Sequence, residues 1–275
     1  MTQQLKQRTV LVVFILYLLV IVGSQFIVHY HDAMEVHLNN SLAMPNFHHW
    51  LGTDEYGRDM LSRIIVGARY TLLVSLLTLM CVLIIGLPLG LIAGYKQGWL
   101  DTIIMRILDI GLSIPDFVLM IALASFFKPS IWNLVIAITL IKWMNYTRLS
   151  RNIVKGEMNK PYIKMAKLLH VPNRVIIIRH ILPKVWPAMT VLLIVDFGKI
   201  ILYISSLSFL GLGAQPPSAE WGAMLNAGRS YIESNPLLMI APAVMITITI
   251  LIFNFLGDAI QDYLLDNNRK RDSNE

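Results

Sequence analysis

Four ionisable residues stand inside stretches of sequence that are otherwise apolar: Asp109, Asp116, Asp196 and Lys199. A charge near the centre of a bilayer costs about 2.5–3.5 kcal/mol on insertion scales, so such residues should face protein or water. Asp109 and Asp116 are seven apart, which on one continuous helix places both on one face. Asp196 and Lys199, at i and i+3, are neighbours on another helix. Two readings fit the four. They line a path for a charged solute, or Asp196 and Lys199 neutralise each other and play no part in transport. Membrane carboxylates also serve as proton relays, which would make Asp109, Asp116 or Asp196 the proton site of a self-driven secondary transporter. Such transporters often carry inverted internal repeats, and none is visible in this sequence.

Other chemistries find little support. No G-x-x-x-x-G-K-[ST] phosphate loop occurs; the one Gly-Lys pair, Gly198-Lys199, has leucine where the first glycine belongs. No Ser/His/Asp constellation or H-E-x-x-H pattern is present, so no catalytic residue, cofactor or metal ligand is assigned. The single cysteine, Cys81, lies in an apolar run and excludes a disulfide framework within the chain. Five of the seven histidines, His29, His31, His37, His48 and His49, share one segment. Imidazole suits nickel, copper and zinc, but histidines are also ordinary polar surface residues.

The elements that must hold these residues are membrane helices. Of the 275 residues 56% are hydrophobic and 15% charged, with a mean hydropathy of +0.61; soluble domains are about 25% charged. Six spans are expected: Thr9–Val28, residues 70–95, Ile103–Phe127, Ser130–Thr147 (tolerating Lys142), Val185–Phe209 and Pro236–Leu256. The first is too long for a signal-peptide core and reads as a retained helix. In the second, Gly86, Gly90 and Gly94 recur every four residues, a smooth ridge that lets a neighbouring helix come close. The domain reading is an N-terminal helix and outer loop over 1–69, a transmembrane domain over 70–260, and a tail over 261–275.

Basic residues set the orientation. With the N-terminus cytoplasmic, 17 of the 23 lysines and arginines fall on the inner side, five fall outside, and Lys199 lies within a span. By the positive-inside rule both termini are cytoplasmic. The net charge of +6 therefore reflects topology and calls for membrane lipid, not nucleic acid, as its partner. Three long segments remain for function: about 29–69 and 211–235 outside, and 150–184 inside.

The inner segment contains a short amphipathic helix, about 159–171. Asn159-Lys160-Pro161 is a start signal, with a cap at Asn159 and proline in the first turn. Tyr162, Met165, Ala166 and Leu169 follow at i, i+3, i+4 and i+7, and Pro172 ends it. A helix this short needs a surface to dock on. The pattern alone allows either a lipid interface or a protein partner.

Pro161-Tyr162-Ile163-Lys164-Met165-Ala166-Lys167 with Arg179-His180-Ile181-Leu182-Pro183 resembles the cytoplasmic signature of ABC-importer permeases, roughly Glu-Ala-Ala, a glycine four residues on, and a distal proline. Lys164 and Met165 stand where the family has Glu-Ala, and His170 stands where it has glycine. Three further motifs are similar to the peptide and nickel branch: His49-Trp50-Leu51-Gly52-Thr53-Asp54-Glu55-Tyr56-Gly57-Arg58-Asp59; Ser208-Phe209-Leu210-Gly211-Leu212-Gly213 with Pro216-Pro217 and Glu220-Trp221-Gly222; and Phe253-Asn254-Phe255-Leu256-Gly257-Asp258. His49–Gly52 and Ala219–Gly222 look most like nickel-import permeases.

The resemblance implies an all-α integral membrane protein with the type I ABC importer permease fold, about six transmembrane helices and a cytoplasmic coupling helix. It implies a cell-membrane location, and contacts from Tyr162, Met165, Ala166, Leu169, His170 and Pro183 to an ATPase. The implied partners are a second permease subunit, two ATP-binding subunits and an extracytoplasmic substrate-binding protein. The implied cargo is nickel, as an ion or small chelate, with di- or oligopeptides as the alternative.

Overall fold

The computed structural model describes residues 2–272. Ten helices organise them: α1 Thr2–Ile27, α2 Tyr30–Met34, α3 Met60–Lys96, α4 Gly98–Gly111, α5 Asp116–Ser125, α6 Ile131–Met158, α7 Pro161–Leu168, α8 Asn173–Phe209, α9 Trp221–Gly228 and α10 Leu237–Asp272. Four of them (α1 over Gln7–Ile27, α3, α8, and α10 over Leu237–Leu264) are long and apolar enough to cross a membrane, and α4 with α5 makes a fifth if the bent pair counts as one span. The sixth expected span, α6, is 28 residues long. At 1.5 Å per residue that is about 42 Å, ample to cross, but its lower half is rich in arginine and lysine.

The glycine ridge meets α6. A methyl group on Gly86 would lie 2.6 Å from Tyr146 Cβ, on Gly90 1.7 Å from Ser150 Oγ, and on Gly94 2.7 Å from Val154 Cβ. Positions 146, 150 and 154 repeat the same four-residue spacing, so the two ridges lie side by side along their length. Thr147 Oγ1 donates to the Gly86 carbonyl at 3.0 Å. Small-residue packing and interhelical hydrogen bonds bind helices where lipid removes the hydrophobic drive. α1 lies at the rim against α10, with Phe14 edge-on to Phe253 (5.4 Å between ring centres) and Tyr17 hydrogen-bonded to Thr249.

Four sequence expectations need correction. The third span is not continuous: α4 and α5 meet at 84° across residues 112–115. α4 ends at Gly111 with Leu112 as its C-cap, and Pro115 is the N-cap of α5. The residue before a proline is disfavoured in helical conformation, so Ile114 stays in the break. The fourth span does not end at Thr147; its helix runs on to Met158. The fifth begins earlier, at Asn173, and passes through a widened π-type turn over Ile176–Ile181. Pro183 would otherwise press its ring on the carbonyl of Arg179, and the wide turn falls at that point. The sixth continues beyond Leu256 to Asp272.

The two outer segments are locked together. Asp54 accepts from the Arg58 guanidinium at 2.7 Å and lies 3.4 Å from that of Arg63, all three nearly buried. Arg63 reaches across to donate to the Ser218 carbonyl at 3.2 Å. Gly57 takes a positive φ of 73° and sits where any side chain would strike the His37 carbonyl. From the other segment, fully buried Trp221 donates its indole N–H to the Ile64 carbonyl at 3.1 Å. Glu220 accepts from the backbone N–H groups of Gly222 and Ala223 at 2.9 and 2.8 Å, capping α9. Burial pushes the Glu220 carboxyl above its ordinary range.

The ridge contact makes a direct prediction. Gly90→Ala should destabilise the protein by about 1–3 kcal/mol through overpacking, read as a lower thermal midpoint of the detergent-solubilised chain. Gly23→Ala, where nothing stands within 4 Å, should leave the midpoint unchanged or raise it.

Candidate functional site

Two structures make up the candidate site: the inner helix α7, and a chain of paired charges along α6. α7 spans Pro161–Leu168 with Lys160 as its N-cap and Pro161 in the first turn. Asn159 is the C-cap of α6 and does not cap α7. Ile163 is fully buried and anchors the helix to the body, with Ala166 half-buried beside it. Met165, Leu168 and Leu169 are 57%, 72% and 70% exposed, and Tyr162 is partly exposed. The expected stripe therefore divides. Met165 and Leu169 point away from the bundle, Ala166 packs toward it, and Tyr162 lies between, its hydroxyl turned back to Glu157 of α6.

α7 is tied to the end of α6 by one carboxylate. Glu157 accepts from Lys160 Nζ at 2.5 Å and from the Tyr162 hydroxyl. Burial and then this bond push the Tyr162 phenol up to about 12. The Tyr162 ring also stands 6.1 Å from that of His180, so the helix is referenced to α6 and α8 together. Pro183 lies inside α8, next to the wide turn, and is not on α7.

His170 adopts φ 55°. Its N–H bonds the Lys167 carbonyl and the Val171 N–H bonds that of Ala166, each at 3.0 Å. This is a Schellman cap with a left-handed C′ residue, the position that glycine prefers. The departure from the family pattern at His170 thus keeps the family's backbone.

The chain of charges was only half visible in the sequence. On α6, Lys142, Arg148 and Arg151 oppose Asp116, Asp109 and Asp101 in reverse order. Arg151 grips both oxygens of Asp101, with Nε donating at 2.7 Å. Arg148 donates to Asp109 at 2.6 Å. Lys142 Nζ lies 4.0 Å from Asp116 Oδ2 and 3.5 Å from Asp196 Oδ2. Asp116 also accepts from the Tyr203 hydroxyl of α8 at 2.9 Å. Asp109 and Asp116 therefore both engage α6, but from two helices. Asp196 and Lys199 are 3.7 Å apart, yet they are not a closed pair, because Asp196 is shared with Lys142 and Lys199 is half-exposed. Lys142, counted among the inner-side basic residues, is 4% exposed within the bundle and joins Lys199 as an interior cation.

Lys142, Asp101, Arg148 and Arg151 are the residues that sequence reasoning missed. Their signal was present: three aspartates spaced by eight and seven, followed two helices later by three cations in the reverse sense. Among the described residues, no group of three or more His, Cys, Asp or Glu side chains is placed to hold a metal ion, and His49 is hydrogen-bonded to Asp59 at 3.0 Å.

The structure is a helical bundle with paired charges in its interior and a short amphipathic helix displayed at one end. The chain matches, over residues 86–270, the family described as binding-protein-dependent transport system inner membrane component, and it belongs to that family. It is 40% identical over 230 residues to the dipeptide transport system permease protein DppC of Alkalihalophilus pseudofirmus (84% of this chain, 76% of the relative). It is 40% identical to the glutathione transport system permease protein GsiD of Pectobacterium atrosepticum (80% and 73%). To the nickel transport system permease protein NikC of Escherichia coli it is 34% identical over 257 residues (94% and 92%). Among solved structures, an inward-facing MetNI methionine ABC transporter chain superposes with a TM-score of 0.58 at 19% identity, covering 73% of this chain and 95% of that one.

The fold is that of a type I ABC importer permease. The chain is an ABC importer permease of the dipeptide, glutathione and nickel type, a multi-pass inner-membrane component and not itself a catalyst.

His170 offers a test of the cap. A non-glycine residue in the left-handed region carries about 1 kcal/mol of strain. His170→Gly should therefore slow hydrogen exchange at the Val171 amide about fivefold, measured by mass spectrometry on the reconstituted chain.

Proposed function

We propose that this chain forms the translocation path of an importer whose energy arrives through α7. The importer pairs it with a second permease, two ATP-binding subunits and an extracytoplasmic binding protein. The observation that carries the reading is the exposed apolar stripe Tyr162, Met165, Leu168 and Leu169 on an otherwise basic loop. It is rigidly anchored from behind by Ile163 and Glu157, as a helix that transmits force must be. In this reading both termini are cytoplasmic, the transmembrane domain extends over 70–260, and Asp116, Lys142, Asp196 and Lys199 face the path, with Asp109 toward its inner mouth. The secondary-transporter alternative leaves α7 without a role.

For cargo we infer a nickel chelate. The support is the nickel permease relative that matches 94% of this chain and 92% of its own length, together with the motifs at His49–Gly52 and Ala219–Gly222. Short peptides are the second reading, favoured by the 40% identity to the dipeptide and glutathione permeases. Short peptides carry amine and carboxylate groups, which suits a path holding charges of both signs. A permease must release what it passes, so selectivity resides in the binding protein.

Two experiments test these statements. Met165→Asp places a charge in the exposed stripe and should reduce co-purification of the ATP-binding subunits at least tenfold while the chain stays in the membrane. Undiminished capture would remove α7 as the docking element and, with it, the cytoplasmic placement of this loop. Deletion of the gene should abolish uptake of labelled nickel at limiting concentration. Normal nickel uptake with loss of labelled dipeptide uptake would transfer the assignment to peptides.

A further inference from the structure

The three ion pairs between α6 and the α4–α5 hairpin differ in a regular way along the helix. At the end next to α7, Arg151 holds Asp101 through two hydrogen bonds, with both side chains largely covered. One helical turn away, Arg148 holds Asp109 through one bond at 2.6 Å. Deep in the bundle the contact loosens: Lys142 stands 4.0 Å from Asp116, and Asp116 is the one aspartate of the three on α5, beyond the 84° break. Bidentate arginine–carboxylate pairs fix orientation as well as distance, whereas an ammonium is a point charge on a flexible stem. The ion-pair grip is therefore tighter on α4 than on α5.

The loose rung has substitutes on every side. If Asp116 withdraws, Lys142 keeps Asp196 at 3.5 Å, and Asp196 keeps Lys199 at 3.7 Å. Asp116 itself keeps the Tyr203 hydroxyl and sits in the first turn of α5, where a negative charge is favoured by the helix dipole. Breaking a buried ion pair is strongly unfavourable when it strands a charge. Here neither partner is stranded.

We propose that α6 and α4 form one rigid lever driven by α7, and that α5 is the element that moves against it. The lever is held by Arg151–Asp101 and Arg148–Asp109. α5 pivots at residues 112–115, and Asp116 detaches from Lys142 as the path changes access. Arg148 and Asp109 are positioning residues: they transmit displacement of α7 to the pivot and need not touch cargo. The inference rests on α7 being the ATPase contact and says what that contact moves.

The test uses the complete importer in nanodiscs, with Cys81→Ser and a reporter Ser113→Cys in the exposed pivot. The rate of methanethiosulfonate labelling is compared with and without ATP and vanadate. In the otherwise unaltered complex, trapping should change the rate at least fivefold. Arg148→Asp, at a pair partly open to solvent and thus tolerant of change, should abolish that response while ATP hydrolysis continues. The exchanged pair Asp109→Arg with Arg148→Asp should restore it to within twofold. A full response in Arg148→Asp overturns the proposal. So does failure of the exchanged pair to restore it in a complex that still holds its ATP-binding subunits. An unaltered complex that retains these subunits but shows no response also overturns it and leaves the docking reading standing. Loss of the subunits upon no change but solubilisation in a native-like bilayer would instead defeat the docking reading, and the lever with it.

Discussion

A lysine enclosed in an apolar bundle is the constraint to which much of this structure answers. Lys142 is 4% exposed, and an ammonium in that position must find counter-charge within the protein. Asp196 approaches it from α8 and Asp116 from α5. Asp116 stands beyond the 84° break in the third apolar segment. The break at residues 112–115 delivers the carboxylate at a helix start, where the dipole and Tyr203 share in holding it. One buried cation thus connects the path of α5, the register of α6 and the position of α8.

The two ends of the bundle are built by different physics. On the side away from α7, the outer segments are joined by buried polar contacts: Asp54 with Arg58 and Arg63, Arg63 with the Ser218 carbonyl, and the Trp221 indole with the Ile64 carbonyl. Each satisfies a group that would be costly to bury alone. On the opposite side α7 is held by buried Ile163, half-buried Ala166, the shared Glu157 carboxylate, and ring contacts of Tyr162 with His180 and of Lys167 with Tyr95. That end presents Met165, Leu168 and Leu169 to the exterior, a face made to be covered by something else.

His170 shows how a family pattern can change in residue and persist in form. His170 stands where the resemblance places glycine, and its backbone turns left-handed to close the Schellman cap. The cap hydrogen bonds at Lys167 and Ala166 and the packing of Ile163 over-determine the turn, so the local strain is carried by the surrounding contacts.

The sequence by itself determined the membrane class, the apolar core of each segment though neither the break in the third nor the early starts of the second and fifth, the glycine ridge, and the short helix α7. All of these follow from local rules: apolar run length, four-residue spacing, and proline at a helix start. The four motifs fixed the kind of transporter. Tertiary structure alone decided which residues the motifs meet, because Trp221 reaching Ile64 and Arg63 reaching Ser218 join positions more than 150 residues apart. It also decided which face of α7 is covered: the stripe was legible, but Ala166 turns inward with Ile163 because the body of the protein lies on that side. The charge ladder was out of reach for the same reason. Spacing shows which charges share a helix face, but whether Asp196 pairs with Lys199 or is claimed by Lys142 depends on how close a third helix comes. That distance, 3.5 Å from Lys142 Nζ to Asp196 Oδ2, is a property of how α6 packs on α8, which no local pattern reports.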